Sequence, residues 1–281
     1  MVKVLKAGLH SSIQDEGRFG FRNQGIPTSG AMDQHAFHLA NYLLDNKKGT
    51  PVIEFMLQGP TLYFGVSTYV AITGASFKAK LNGEEIEQFT RVFIPAGSEL
   101  SFEPPQKGVF GYLSVKEGFE MKKAFKSCSF YPVVADNFLL EKGKELSIKS
   151  FDYKEKTHSK VMRHQNKFED NILKVFPGPD FKLLPRNTQK YLSMGEFKVG
   201  KNSNRMGYEI KHTLKIQAEE IITAPVQPGT IQLTPSGKII ALMRDSQTTG
   251  GYARIFQLSE ESINILSQKR TGEEVMFEII E

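Results

Sequence analysis

Residues 244 to 255 read RDSQTTGGYARI, a polar stretch set between the apolar runs Ile239 to Met243 and Ile255 to Leu258. Asp245 closes the first run, and Gly250-Gly251 lets backbone amides crowd inward, a device that suits an oxyanion or a phosphate. The same residues also make an ordinary turn. A second polar cluster, SNRMGY at 203 to 208, sets Asn204 and Arg205 before a glycine and Tyr208. Arg205 can fork onto a carboxylate or phosphate of a ligand, or pair with an acid of the protein itself. The third cluster, QDEGRFGFRNQGIPTSGAMD at 14 to 33, surrounds Gly17, Gly20, Gly25 and Gly30 with the donors and acceptors Gln14, Asp15, Arg18, Ser29 and Asp33. Its alternative is a plain glycine loop. ITGASF at 72 to 77 reads as a strand ending in a turn.

The common catalytic signatures are missing. There is no GxxxxGK[ST], HExxH or GxSxG, and Cys128, the single cysteine, has no CxxC partner. His35 and His38 stand three apart on one candidate helix, but no further ligands follow at a metal-binding spacing, so no metal is expected.

Composition narrows the field. Thirty-six basic against 31 acidic residues give a net charge of +5 spread over 281 positions, with no basic stripe for nucleic acid. One cysteine fits a reducing compartment. The amino terminus turns polar before a signal-peptide core forms, and no apolar run approaches the roughly 20 residues of a membrane span. A cytoplasmic protein that binds neither membrane nor nucleic acid is expected.

The elements that must hold these clusters are mostly strands. TLYFGVSTYVAITG, RVFIPAG, VFGYLSV, TIQLTP and KIIALM are β-branched and aromatic runs bounded by Gly, Pro and Asn. Asn82-Gly83 and Ser236-Gly237 have hairpin chemistry. Two helices are expected to plug or cover barrels. One spans Asp33 to Asp45, with Ala36, Phe37, Ala40, Leu43 and Leu44 on one stripe; the other spans Ser259 to Gln268, capped by Ser259. The charge-rich stretch between Glu141 and Lys167 predicts a boundary near residue 160, giving domains 1–160 and 161–281. A faint echo between the halves, QGPTLYF and PGPDFKLL, raises the idea of pseudo-duplication.

The order QDxGRxG, SGAMD, AN with LxxN (Ala40, Asn41, Leu43, Asn46), Glu54 before Gly59-Pro60, TGA, SNRMGY, GTIQ and QTTGGY resembles the biotin-dependent carboxyltransferase and allophanate hydrolase subunit 2 family. The resemblance runs from about Gln14 to Phe277. It implies a mainly β fold of two cyclophilin-like β-barrel domains with a few short helices. By this resemblance the members most similar in function serve as the C subunit of an ATP-dependent 5-oxoprolinase. They work with the B subunit, of the kinase-inhibitor type, and the A subunit of the 5-oxoprolinase on a small lactam or amide. ATP is bound in the complex, at an interface where the sites are shared, and there is no bound biotin. The resemblance further implies that Asp245, Gln247, Thr248, Thr249, Gly250, Gly251 and Tyr252 line a substrate cleft. Arg205 would stabilise charge on an activated carbonyl there, and Asp245 would orient or deprotonate substrate or water.

Two other roles fit such a chain: a carboxyltransferase component working on urea-like amides beside a biotin enzyme, and a non-catalytic binder of a kinase-inhibitor partner. Met121-Lys122-Lys123 is not a biotin attachment site. Where the family continues after VFGYLSV with a GSxST-like turn and GGxxGR, this chain has KEGFEMKKAFKSCSFYPVVADNFLLEKGKEL. Ser127 and Ser129 keep part of the serine turn; the later glycines and arginine are absent.

Overall fold

The computed structural model describes residues 1–153, 169–216 and 218–281. The chain divides into two compact units, Met1–Gly17 with Ser29–Gln165 and Arg18–Thr28 with Asn166–Glu281. The expected boundary near residue 160 lies outside the described residues. A single cut there leaves Arg18–Thr28 in the first unit, whereas this segment packs with the second, where the Arg22 guanidinium holds the carbonyls of Val226 and Gln247.

The first unit is built from two antiparallel sheets. In spatial order the six-stranded sheet runs Glu145–Leu146, Val2–Lys6, Thr61–Phe64, Ser98–Glu103, Lys78–Leu81 and Glu84–Ile86. The five-stranded sheet runs His10–Gln14, Val52–Met56, Phe110–Val115, Thr68–Gly74 and Arg91–Ile94. Alternate residues of the first sheet, among them Val2, Val4, Leu62, Phe64 and Leu100, share one core with Ile13, Ile53, Phe55, Ile72 and Leu113 of the second. Strands Thr68–Gly74 and Phe110–Val115 are buried at every position instead of alternating, because both faces are covered. The core covers one face. On the other lies helix Gln34–Leu43, whose Leu39 and Leu43 pack with Tyr69 and Ala71. The run TLYFGVSTYVAITG is therefore two strands, and its second ends at Gly74. A Cβ there would lie 2.4 Å from the Phe110 carbonyl oxygen, and φ is 91°.

In the second unit seven strands close a barrel in the order Ile172–Pro177, Ala253–Leu258, Thr230–Leu233, Ile239–Leu242, Gly207–Lys211, Glu196–Ser203 and Glu274–Ile279. The first and last strands complete the ring by parallel pairing, Ile172 opposite Met276. Phe197, Phe256 and Phe277 fill the interior, with ring centroids 4.9 and 5.5 Å apart across Phe277. Helix Glu260–Ser267 covers strands Ile172–Pro177 and Ala253–Leu258.

The expected hairpins form at Asn82-Gly83, with φ of 52° and 92°, and around Gly237, with φ of 84°. Both expected helices form, capped by Asp33 on the Ala36 amide at 3.0 Å and by Ser259 on the Ser262 amide at 3.2 Å. The third helix, Arg186–Met194, escaped the pattern because it buries only Thr188 and Leu192. Pro185 at its start was the available signal. The QGP and PGP steps do not play the same part: Gly59-Pro60 leads into strand Thr61–Phe64, and Gly178-Pro179 follows strand Ile172–Pro177. Among the described residues no helix is long and apolar enough to cross a membrane.

Candidate functional site

Strand Ile239–Leu242 delivers the chain to Asp245 inside the second unit. There the main chain is tied to the SNRMGY turn: the Met243 amide donates to the Met206 carbonyl at 3.0 Å and the Asp245 amide to the Arg205 carbonyl at 2.9 Å. Asn204 shapes that turn by accepting from the Met206 amide at 2.8 Å. Arg205 then donates from Nε to Asp245 Oδ2 at 2.6 Å and from Nη2 to Oδ1 at 3.1 Å. Both side chains are buried, at 9% and 7% exposure. Each charge has the counter-charge that burial demands. Of the two partners open to Arg205 in the sequence, the structure supplies an acid of the protein, and that acid is the other expected catalytic residue. The fork takes one acceptor site on each Asp245 oxygen and fixes the orientation of the carboxylate, so the arrangement is suited to positioning. Tyr208 donates its hydroxyl to the Ser267 carbonyl at 3.0 Å and links the barrel to its covering helix.

Beyond the pair, the backbone of the segment is pinned while its side chains are left open. The Thr248 carbonyl accepts from Val226 at 3.1 Å, the Gly251 carbonyl from Ile221 at 3.0 Å, and Thr249–Gly250 pairs with Ala224–Pro225. Gly250 lies so close to Gln232 that a Cβ would stand 2.7 Å from its Nε2. The side chains of Gln247, Thr248 and Thr249 make no hydrogen bond among the described residues, and Tyr252 is 39% exposed. Ser246 Oγ is fully buried without a hydrogen-bond partner among the described residues. A short row of amide and hydroxyl groups is thus held on a fixed backbone with its hydrogen-bonding capacity unspent.

The remaining expected residues separate by unit. Arg18 belongs to the second and is fully buried, its amide donating to the Thr28 carbonyl at 2.6 Å. Gln14, Asp15, Ser29, Gly30 and Asp33 belong to the first. Asp15 is a hub: Oδ1 accepts from the Gly17 amide at 2.9 Å, Ser127 Oγ at 2.6 Å and Ser129 Oγ at 2.7 Å, and Oδ2 from the Cys128 amide at 2.6 Å. The serine turn therefore serves to seat this carboxylate. Gln14 is buried, with Nε2 on Ser12 at 3.0 Å and Oε1 lacking a partner among the described residues. Ser29 and Gly30 have φ of 54° and 92°, and Ser29 Oγ is likewise buried without a partner there. Asp33 caps its helix, and its own amide donates to the Tyr112 hydroxyl at 2.8 Å.

Below that cap lies Glu54. Its Oε2 accepts from the Met32 amide at 2.7 Å and the Tyr112 hydroxyl at 2.9 Å. Burial, with the Glu54 charge adding to it, pushes the Tyr112 phenol well above its ordinary value of 10.0. His38 faces Glu16 at 3.7 Å, and among the described residues no cluster of three or more His, Cys, Asp or Glu is arranged for a metal.

Sequence reasoning missed Arg22. It lies in the second unit and donates from Nη1 to Thr28 Oγ1 at 3.3 Å, and from Nη2 to the Val226 carbonyl and to the Gln247 carbonyl at 3.3 Å. The signal was a second arginine in the glycine-rich loop with no acid near it in GFRNQG.

Residues 24–279 match the family described as carboxyltransferase domain, subdomain A and B. The 5-oxoprolinase C subunit of Haemophilus influenzae is 32% identical over 287 residues, covering 100% of this chain and 91% of that protein. The urea amidolyase of Saccharomyces cerevisiae is 38% identical over 131 residues, covering 46% of this chain and 7% of that protein. The crystal structure of TTHA0988 superposes with a TM-score of 0.87 at 29% identity, covering 98% of this chain. The chain spans 55% of the length of that solved chain.

Proposed function

Because the chain belongs to the carboxyltransferase family of subdomains A and B, we propose that it is the C subunit of an ATP-dependent 5-oxoprolinase, active together with the A and B subunits of that enzyme. The observation that carries this reading is full-length sequence similarity to a 5-oxoprolinase C subunit, whereas the sequence similarity to a urea amidolyase covers less than half of the chain. The complex works in the cytoplasm, where a single unpaired cysteine is at ease.

The working surface of this chain is the row Gln247, Thr248 and Thr249, which donates hydrogen bonds to a lactam carbonyl as its oxygen gains negative charge. The buried Arg205–Asp245 bridge fixes the start of that row. ATP is assigned to the complex, at an interface shared with another subunit. Among the described residues two helices begin with acids, Asp33 in one and Glu260 and Glu261 in the other, where a phosphate would be repelled.

The test is reconstitution. The chain co-purified with the A and B subunits is expected to convert 5-oxoproline to glutamate only with ATP, and the chain alone is expected to yield none. Robust turnover by the single chain, or none by the assembled complex, rejects the proposal.

A further inference from the structure

Arg22 begins a short 3-10 turn, Arg22–Gln24, within the glycine-rich loop of the second unit. Its side chain is half-buried, and its acceptors, Thr28 Oγ1 and the carbonyls of Val226 and Gln247, are all neutral. No carboxylate pairs with it among the described residues. Burial without a counter-charge pushes the guanidinium below its ordinary value, the reverse of the effect of an ion pair. A partly desolvated cation of this kind gains stability from an incoming anion.

The same residue lines a cleft of about 360 Å³ in the second unit. Arg254, Gln227 and Gln257 add polar groups, and Pro177 and Phe256 add apolar wall. Arg254 commits Nε to Asp180 Oδ2 at 3.0 Å, an oxygen that also accepts the Arg254 amide at 2.8 Å. Two guanidinium groups thus meet one acid, and the surplus charge is that of Arg22. The volume falls in the range of small-molecule sites, about 300–1,000 Å³. Arg22 also donates to the Gln247 carbonyl at 3.3 Å, which ties one wall of the cleft to the backbone of the Gln247–Thr249 row.

We propose that this cleft binds the carboxylate of a small amide-bearing acid, with Arg22 as its counter-charge. The choice of a lactam acid, 5-oxoproline, rests on the function proposed above; the preference for a carboxylate does not. Urea, which carries no anionic group, makes no use of Arg22, so the cleft separates the two substrate classes of the family.

Calorimetric titration of the full chain, and of the reconstituted complex, with 5-oxoproline and its neutral carboxamide tests this without any substitution. The acid is expected to bind at least tenfold more tightly than the carboxamide. Arg22→Gln is expected to remove that preference and Arg22→Lys to keep part of it, with melting temperatures checked alongside. Equal binding of acid and carboxamide, an unchanged preference in Arg22→Gln, no binding to either the chain or the complex, or displacement of the acid by equimolar inorganic phosphate overturns the assignment. N-acetylglycine keeps the two proposals apart. A complex inert toward 5-oxoproline whose Arg22 still selects N-acetylglycine over its carboxamide loses the oxoprolinase reading and keeps the cleft. An active complex in which Arg22→Gln leaves KM for 5-oxoproline unchanged loses the cleft and keeps the activity.

Discussion

Arg205 and Asp245 hold each other twice: the guanidinium grips both carboxylate oxygens at 2.6 and 3.1 Å, and the Asp245 amide donates to the Arg205 carbonyl at 2.9 Å. Removing one partner leaves a buried charge uncompensated. Asp245→Ala is expected to destabilise the protein by about 3–5 kcal/mol, whereas replacing both residues with apolar ones of similar volume, Arg205→Met with Asp245→Leu, recovers most of that loss. Chemical denaturation of the single and double variants measures it. A double variant no more stable than the singles would show that the bridge does more than balance its own charges.

A second stability prediction follows from Asp15, whose carboxylate is seated by Ser127, Ser129 and two amides. Ser129→Ala removes a hydrogen bond to a buried charge and also the acceptor of the Asp15 amide at 3.0 Å, and is expected to cost at least about 1.5–3 kcal/mol. The loss should appear in unfolding of the first unit. A variant as stable as the parent would mean that the three remaining donors suffice.

Tyr112 makes a pH prediction. Its phenol, held neutral in the fold by burial and the Glu54 charge, has a pKa raised above 10.0, so above that pH the unfolded chain binds fewer protons than the folded one. Stability from this group is complete below pH 10 and is lost as pH rises from there through the folded value. Tyr112→Phe is expected to flatten the alkaline limb of the stability curve while lowering the neutral plateau, because Glu54 loses a donor. An alkaline limb identical in the two proteins would place the titration elsewhere.

How much of this was legible depended on distance along the chain. Both expected helices were readable because an apolar stripe and a cap recur within a few residues, and Asn82-Gly83 declares its turn locally. Asp15 and its serines are 112 and 114 positions apart, and Arg205 and Asp245 are 40, so residue type announced a polar site but not which groups would satisfy one another. Much of the motif proves to be scaffold: Asn46 donates to Asn41 and Ser114, each at 3.0 Å, and Glu54 props the entry to the first helix. Arg22 left only a faint trace in the sequence, an arginine with no acid beside it in GFRNQG. Its distinguishing feature is the acid it lacks, and that shows only once its neighbours in space are known.

The row of open side chains decides whether RDSQTTGGYARI is more than a turn. Thr248 and Thr249 spend their main chains on the Ala224–Val226 stretch, while their hydroxyls bond to nothing among the described residues. Valine preserves the shape of threonine and removes only the hydroxyl. Thr248→Val and Thr249→Val are therefore expected to stay within about 0.5 kcal/mol of the parent in stability, as open positions do. If these hydroxyls donate to the developing oxyanion, the variant that loses the stronger donor lowers turnover of the reconstituted complex by about a hundredfold, the lower end for a single oxyanion donor. The loss falls on kcat rather than on KM, because the interaction strengthens only as charge builds on the carbonyl. Steady-state kinetics on both variants, with thermal melting as the control for folding, gives the answer. Parent-like turnover in both would remove the row from the reaction and leave the segment as a rigid turn beside the Arg22 cleft.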